Sequence, residues 1–139
     1  MTPFILSHYD SKTLYAGANM LFKSENRGDS WKCISPELSG NMGPERQGDV
    51  PFGTITDISE SALKNGLLYA GTDDGQVHVT MDDGATWSKI NDGLPHKWVS
   101  RVVASKYNEG KVFISLTGYR EDDFEAYLYV SNDFGKTWK

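Results

Sequence analysis

The stretch Thr80-Met81-Asp82-Asp83-Gly84-Ala85-Thr86-Trp87 decides the fold of this 139-residue chain, because it recurs with variations at two other places. The other copies are Ser24-Glu25-Asn26-Arg27-Gly28-Asp29-Ser30-Trp31 and Ser131-Asn132-Asp133-Phe134-Gly135-Lys136-Thr137-Trp138. Each copy reads Ser/Thr-x-Asp/Asn-x-Gly-x-Ser/Thr-Trp. A motif that returns at intervals of about 50 residues is typical of a fold built from repeated structural units.

The residue types of the motif suit a tight turn between two strands. The carboxylate or amide at the third position can accept hydrogen bonds from backbone N–H groups that the turn leaves unpaired. The glycine at the fifth position adopts a conformation that a side chain would penalise. The hydroxyl groups can join the two arms of the turn, and we expect each Trp ring to be buried between sheets. We assign these structural roles to Ser24, Asn26, Gly28, Trp31, Thr80, Asp82, Gly84, Trp87, Ser131, Asp133, Gly135 and Trp138.

Short apolar runs separated by turn residues fill the rest of the chain, which predicts strands and no long helix. The segments Leu14-Tyr15-Ala16-Gly17 and Leu68-Tyr69-Ala70-Gly71 are near-copies of each other. The predicted strands span residues 4–7, 13–17, 20–24, 31–35, 54–59, 67–72, 76–80, 87–90, 99–105, 111–116 and 127–131. Four strands in each repeat are typical of a β-propeller blade, a small antiparallel sheet that packs against its neighbours.

We therefore predict an all-β fold, a β-propeller fragment of about three consecutive four-stranded antiparallel blades, the third of them incomplete. The apolar runs 112–116 and 127–130 are expected to be buried on both faces. The predicted parts are blade 1 (1–35, motif 24–31), an inter-blade loop (36–53), blade 2 (54–91, motif 80–87) and a truncated blade 3 (92–139, motif 131–138).

The three motifs resemble the Asp-box, also called the bacterial neuraminidase (BNR) repeat. This repeat occurs in sialidases, xyloglucanases, sortilin-type receptor domains, photosystem assembly factors and secreted bacterial proteins related to glycosyl hydrolases. The chain is most similar to that last group, which resembles the sortilin type, in the stretches 4–7, 13–19, 27–31, 99–102 and 118–123. Complete propellers of these families have more blades than three, so the resemblance implies a fragment of a larger protein. The Phe/Tyr-Arg-Ile-Pro signature expected of a sialidase is absent from the sequence.

The composition excludes several classes of function. The net charge is −5 and no stretch gathers Lys and Arg, so the sequence lacks the electrostatic footprint of a nucleic-acid-binding protein. No apolar run approaches the roughly 18 residues of a membrane helix, and the first residues do not read as a signal peptide. Cys33 is the single cysteine, which excludes an intrachain disulfide, and we expect it to be a small packing residue.

The candidate ligand-binding segment is 118–126, which lengthens the third repeat between its second and third strands. Here Tyr119, Arg120, Asp122 and Asp123 crowd together. An Arg side chain can hold a carboxylate or bracket sugar hydroxyls, and Tyr119 and Trp98 could stack on sugar rings or pack within the protein. The alternative is a solvated polar loop. No catalytic residue is assigned, since neighbouring carboxylates usually point apart and a glycosidase needs two that flank one bond.

We predict no metal site and no cofactor. The acidic pairs in Asp73-Asp74-Gly75 and Asp82-Asp83-Gly84 lack the ligand spacing of a calcium loop and are typical of hairpin turns. None of His8, His78 and His96 belongs to a metal-binding pair. The long connection at 35–53 is rich in turn residues and is expected to be a mobile connector.

The sequence favours a blade segment that serves as a recognition scaffold for carbohydrate or peptide within a larger, secreted bacterial protein. The alternative is part of a BNR-repeat glycoside hydrolase whose catalytic carboxylates come partly from other blades, and a third reading is a purely structural module. The expected partners are a glycan or peptide ligand, the remaining blades and, through its open sheet faces, a second copy of the chain. The resemblance implies an extracellular or periplasmic location for the whole protein.

Overall fold

The computed structural model describes residues 2–40 and 53–139, so most of the predicted connector at 35–53 lies outside the described residues. The described residues form short strands and one 3-10 turn, Tyr119–Glu121. The strands are β1 (Phe4–Leu6), β2 (Leu14–Gly17), β3 (Leu21–Ser24), β4 (Lys32–Cys33), β5 (Ile55–Glu60), β6 (Leu68–Thr72), β7 (Val77–Thr80), β8 (Ser88–Lys89), β9 (Trp98–Ala104), β10 (Val112–Gly118) and β11 (Asp123–Ser131). In this part of the chain no helix is long and apolar enough to cross a membrane.

The strands make three antiparallel sheets, each from consecutive strands. Sheet 1 has the order β1-β2-β3-β4, sheet 2 has β5-β6-β7-β8, and sheet 3 has β9-β10-β11. In sheet 3, Lys139 and Val130 exchange two backbone hydrogen bonds of 3.0 Å, so Lys139 occupies the start of a fourth strand. The predicted all-β arrangement of consecutive four-stranded units, with the third incomplete, is confirmed.

The strand register places the three motifs at equivalent positions. The first motif residue pairs with the second strand in every sheet: Ser24 with Leu14, Thr80 with Leu68, and Ser131 with Val112. Three sets of side chains are therefore equivalent on one face of sheets 1, 2 and 3. These sets are Tyr15, Tyr69 and Phe113; Leu21, Val77 and Leu128; and Lys23, Val79 and Val130.

Sheet 2 is covered on both faces, and every residue of β6 is buried. Leu68 and Ala70 belong to an apolar cluster with residues of sheet 1 such as Leu21. Because side chains alternate along a strand, Tyr69 and Val77 point the other way, into a second cluster formed with sheet 3. The two clusters are the interfaces between consecutive sheets.

Sheet 3 corrects one sequence prediction. The run 112–116 was expected to be buried on both faces, but its burial alternates: Val112 and Ile114 are at most 1% exposed, whereas Phe113 is 37% exposed. On β11 of the same face Leu128 is 71% exposed. The prediction is wrong because, within residues 2–40 and 53–139, sheet 3 has a neighbour on one face only.

Cys33 corrects another prediction. We expected a packing residue, but Cys33 is exposed on β4, the outer strand of sheet 1. Its thiol donates to the backbone carbonyl of Ser35 at 3.2 Å. Alternation in a two-residue edge strand does not reveal which face is covered, because an edge strand has little covering on either.

The loops fall at two ends of the sheets. At one end, each motif turn is joined to the connection between the first and second strands of its own sheet. These backbone hydrogen bonds run from Arg27 to Lys12 (2.9 Å), from Asp83 to Gly66 (3.0 Å) and from Phe134 to Gly110 (2.8 Å). The opposite end, called the hairpin end below, carries the β6–β7 turn at 73–76 and the β10–β11 turn at 119–122.

Candidate functional site

The motif turns are organised around their third residue. In the second motif, Asp82 Oδ1 accepts hydrogen bonds from the Thr86 backbone N–H and the Thr80 hydroxyl, both at 2.8 Å. Asp82 Oδ2 accepts the Thr86 hydroxyl at 2.6 Å. Asp133 is held in the same way by Ser131 and Thr137, at 2.7 to 2.9 Å.

Asn26 reproduces this arrangement without a charge. Its Oδ1 accepts from the Ser30 backbone N–H at 2.9 Å and the Ser24 hydroxyl at 3.0 Å. Its amide group then donates to Ser30 Oγ at 2.8 Å, so the second hydroxyl accepts where Thr86 and Thr137 donate. The turn therefore needs an acceptor at this position, and a carboxylate is optional.

Hydrogen bonding also explains the acidity of the motif carboxylates. The Thr86 hydroxyl, and after it the Thr86 N–H, lowers the pKa of Asp82. The hydroxyls of Ser131 and Thr137 hold the pKa of Asp133 at about 2. A carboxylate stabilised in its charged form is a poor general acid, so these residues act as turn acceptors.

The fourth and fifth residues of each motif form a left-handed bend. The fifth residue is Gly in all copies, with φ between 88° and 94°. The fourth residue is Arg27, Asp83 or Phe134, with φ of 62°, 56° and 62°. A left-handed non-glycine residue is uncommon, and the variable fourth position gave no sign of it in the sequence.

The motif Trp residues connect neighbouring sheets. The indole N–H of Trp87 donates to the Ile34 carbonyl at 2.8 Å, and that of Trp138 donates to the Ile90 carbonyl at 2.9 Å. Each Trp thus reaches the end of the preceding sheet. The burial predicted for Trp31 is wrong: its side chain is 45% exposed, because the described residues include no sheet on that side.

The candidate ligand segment forms a tighter hairpin than the sequence predicted. We expected an irregular loop over 118–126, but β10 extends to Gly118 and β11 begins at Asp123. The connection is the 3-10 turn Tyr119–Glu121 followed by Asp122, whose φ of 56° is left-handed. The hairpin keeps strand geometry almost to its tip because cross-strand pairing continues to Gly118 and Asp123.

Lys97 anchors this hairpin to the connection between sheets 2 and 3. Its Nζ lies 2.7 Å from Asp123 and 3.1 Å from Glu121, and it lies 5.4 Å from the centre of the Tyr127 ring. The Tyr127 hydroxyl donates to Asp123 at 2.7 Å. The hydrogen bond from Lys97, followed by those from Glu125 N–H and Tyr127, holds the pKa of Asp123 at about 2.

Aromatic side chains surround this anchor. The Arg120 guanidinium lies over the Trp98 ring, 4.4 Å from its centre. Tyr119 and Phe124 meet edge to face at 5.9 Å, and they are 70% and 75% exposed. Trp98, for which the sequence left open sugar stacking or packing within the protein, is half-buried beneath Arg120. We call Lys97, Tyr119, Arg120, Asp123 and Phe124 the hairpin site.

The predicted residues Tyr119, Arg120 and Asp123 all belong to the hairpin site, but they have different roles. Tyr119 and Arg120 present their side chains at the tip, and Asp123 is the partner of Lys97. Sequence reasoning missed Lys97, because it lies just before β9, far from the hairpin along the chain, and no motif marks it. Among the described residues, no three His, Cys, Asp or Glu side chains converge as metal ligands.

The acidic pair Asp73-Asp74 has a structural role at the same end. Asp73 Oδ1 accepts the backbone N–H groups of Gly53 (2.8 Å) and Thr54 (3.0 Å). The Asp74 carboxylate accepts the N–H of Gly40 and, at 2.5 Å, the Thr72 hydroxyl. The hairpin turn predicted for these acids is present, and its two carboxylates fix Gly40 and Gly53.

The comparisons with known proteins identify the repeat. Residues 128–139 match the family model described as BNR-Asp box repeat, which agrees with the resemblance of the third motif. No curated protein matches the chain in sequence.

Solved structures show the same fold. YCF48 bound to a D1 peptide has 17% identity and a TM-score of 0.63, over 94% of this chain and 36% of that one. The GH74 enzyme of Niastella koreensis has 15% identity and a TM-score of 0.69, over 98% and 22%. The GH74 xyloglucanase of Xanthomonas campestris has 16% identity and a TM-score of 0.65, over 98% and 20%. The chain therefore has the β-propeller fold and spans about a third or less of the chains that it resembles.

Proposed function

We propose that the chain is a three-blade segment of a larger Asp-box propeller, with blades at 1–35, 54–91 and 92–139, and that it acts as a recognition scaffold. Its ligand is a carbohydrate or a peptide, bound at the hairpin end. The observation that carries the proposal is the exposure of Tyr119 and Phe124 on an anchored hairpin.

The geometry of the hairpin site supports ligand binding in two ways. Large exposed aromatic rings provide apolar surface, and its removal from water on binding is favourable. The ion pair between Lys97 and Asp123 and the stacking of Arg120 on Trp98 restrict the hairpin before a ligand arrives. A site that is ordered in advance loses less entropy on binding.

The comparisons support both ligand classes. A YCF48 propeller is bound to a peptide, and a GH74 propeller is a xyloglucanase. The second candidate function is a segment of a glycoside hydrolase, which the GH74 structures support over 98% of this chain, the same share that a YCF48 structure covers. Extracellular or periplasmic location belongs to the same proposal, and fractionation of the source cells that placed the protein in the cytosol would contradict it.

The test is binding of the chain to an array of glycans that includes xyloglucan oligosaccharides, and to an array of short peptides. We expect Tyr119→Ala and Arg120→Ala each to weaken binding about tenfold, the loss of roughly one good contact, with an unchanged melting temperature. Tyr107→Ala is the matched control, because Tyr107 is 96% exposed and lies between β9 and β10 at the opposite end.

Equal losses in Tyr107→Ala and Tyr119→Ala would contradict a site at the hairpin. Binding of xyloglucan oligosaccharides accompanied by their cleavage in the full-length protein would favour the hydrolase over the scaffold. Binding to the peptide array alone would assign the ligand class to peptides.

A further inference from the structure

The contact between sheets 1 and 2 contains a polar group that includes Asp83, Lys23 and Tyr15, and Lys23 also lies 3.3 Å from Glu25 of its own sheet. Asp83, the fourth residue of the second motif, lies 2.6 Å from Lys23 Nζ. The Tyr15 hydroxyl donates to the same carboxylate at 3.3 Å. Lys23 and Tyr15 belong to sheet 1, and both side chains are mostly buried.

The contact between sheets 2 and 3 places apolar residues at the equivalent positions. Phe134 replaces Asp83, Val79 replaces Lys23, and Tyr69 replaces Tyr15. Phe134 packs against the cluster that contains Tyr69 and Val79. The Tyr69 hydroxyl is buried without a hydrogen-bond partner among the described residues, which is the consequence of Phe134 replacing the acceptor.

We infer that the fourth residue of each Asp-box selects the sheet against which it packs. We call the exposed face of sheet 3, formed by Val103, Phe113, Leu128 and Val130, the open flank. The inference assigns to the open flank one occupant, an Asp-box sheet whose fourth motif residue is apolar. It rests on the proposal that the chain is a segment of a larger propeller.

The register carries this assignment. Phe113, Leu128 and Val130 are equivalent to Tyr69, Val77 and Val79, which belong to the cluster against which Phe134 packs. Leu128 is 71% exposed, whereas Val77 is fully buried. The open flank repeats the apolar surface that accepts Phe134, and it has Val130 at the position where sheet 1 has Lys23, the partner of Asp83.

A second copy of the chain is a mismatched occupant. Its open first sheet would bring Arg27, the fourth residue of the first motif, against Val130 and Phe113. Burying a guanidinium there without an acidic partner is unfavourable. The self-association expected from the open faces is therefore weak through this flank.

Two substitutions test the inference in the chain itself, because each makes residue 27 of one copy complementary to residue 130 of a second copy. R27F supplies the apolar fourth residue, and Phe134 shows that Phe is accepted at a φ of 62°, the value of Arg27. V130E supplies an acid for Arg27, which reverses the Lys23–Asp83 pair. The double variant R27F/V130E places an apolar ring against a carboxylate, so its two surfaces are again not complementary.

Sedimentation velocity of the four proteins gives the readout. We expect each single variant to associate about tenfold more tightly than the wild type, and the double variant no more tightly than the wild type. Added salt should weaken the association of V130E and leave that of R27F unweakened.

Two results would overturn the inference: association of the double variant as tight as that of either single variant, or no gain in either single variant. Ligand binding by the four proteins separates this inference from the proposed function, because all the substitutions lie away from the hairpin site. Loss of the association pattern with retained glycan or peptide binding would contradict the inference alone.

Discussion

At the scale of single residues, the two buried tyrosines show how one position can be satisfied in two ways. Tyr15 and Tyr69 occupy equivalent places, but the hydroxyl of Tyr15 donates to Asp83 while that of Tyr69 has no partner among the described residues. Burial raises the pKa of both phenols. An unpaired buried hydroxyl costs free energy that a paired one recovers.

The comparison of Tyr15→Phe with Tyr69→Phe tests this difference. Tyr15→Phe should destabilise the fold by about 1 kcal/mol, because it removes a hydrogen bond to a charged group. Tyr69→Phe should leave the free energy of unfolding unchanged or raise it slightly. Urea denaturation measures both, and a larger loss in Tyr69→Phe would mean that its hydroxyl has a partner.

At the scale of the elements, the hydrogen bonds of the Asp-box carboxylates make the stability of the fold depend on pH. The folded-state pKa values of Asp82 and Asp133 are lowered by their turn hydrogen bonds. Each therefore contributes stability that is present above the ordinary carboxyl pKa of about 3.9 and is lost as pH falls toward 2. The first turn, with Asn26, has no such dependence.

The substitutions Asp82→Asn and Asp133→Asn test this origin of acid sensitivity. We expect the combined variant to lose less stability than the wild type between about pH 4 and pH 2. Its melting temperature at pH 7 should be lower, since a neutral amide accepts weaker hydrogen bonds than a carboxylate. The measurement is thermal unfolding across this pH range, and parallel curves for the two proteins would exclude the motif carboxylates as the cause.

The elements were also the scale at which the sequence was most informative. Each predicted strand has an observed counterpart, because turn residues and short apolar runs bound the strands in every repeat. The sequence pattern could not show that Trp31 and Phe113 are exposed, because a strand has the same pattern of apolar residues whether or not a neighbouring sheet covers it. It also could not place Lys97 beside Asp123, because the two residues lie far apart along the chain and no repeated motif relates them.

At the scale of the whole molecule, coverage of the sheets sets an order of local stability. Sheet 2 is covered on both faces, while sheets 1 and 3 each have one open face within the described residues. In stacked repeats, stability is approximately a sum of unit and interface contributions. The middle unit has two interfaces and should open least.

Native-state hydrogen exchange tests this order. The amides of β6 should exchange most slowly, with those of β10 and β2 next and those of β1 fastest. Phe134→Ala, which weakens the contact between sheets 2 and 3, should speed exchange in sheet 3 more than in sheet 1. Uniform acceleration in all three sheets would indicate that the molecule opens as a single unit.

The different contacts at the two internal interfaces also bear on how the chain avoids misassembly. The near-copies at 14–17 and 68–71 make sheets 1 and 2 alike, so that sheet 3 could stack on the wrong one during folding. Proteins with repeated units are prone to this error. If sheet 3 stacked on sheet 1, Phe134 would meet Lys23, and Asp83 would be left without its cation. The first contact would bury the Lys23 ammonium against an aromatic ring, and the second would remove the ion pair of Asp83. The fourth motif residue is thus charged at one internal interface and apolar at the other, and this difference favours one stacking order of the near-identical sheets.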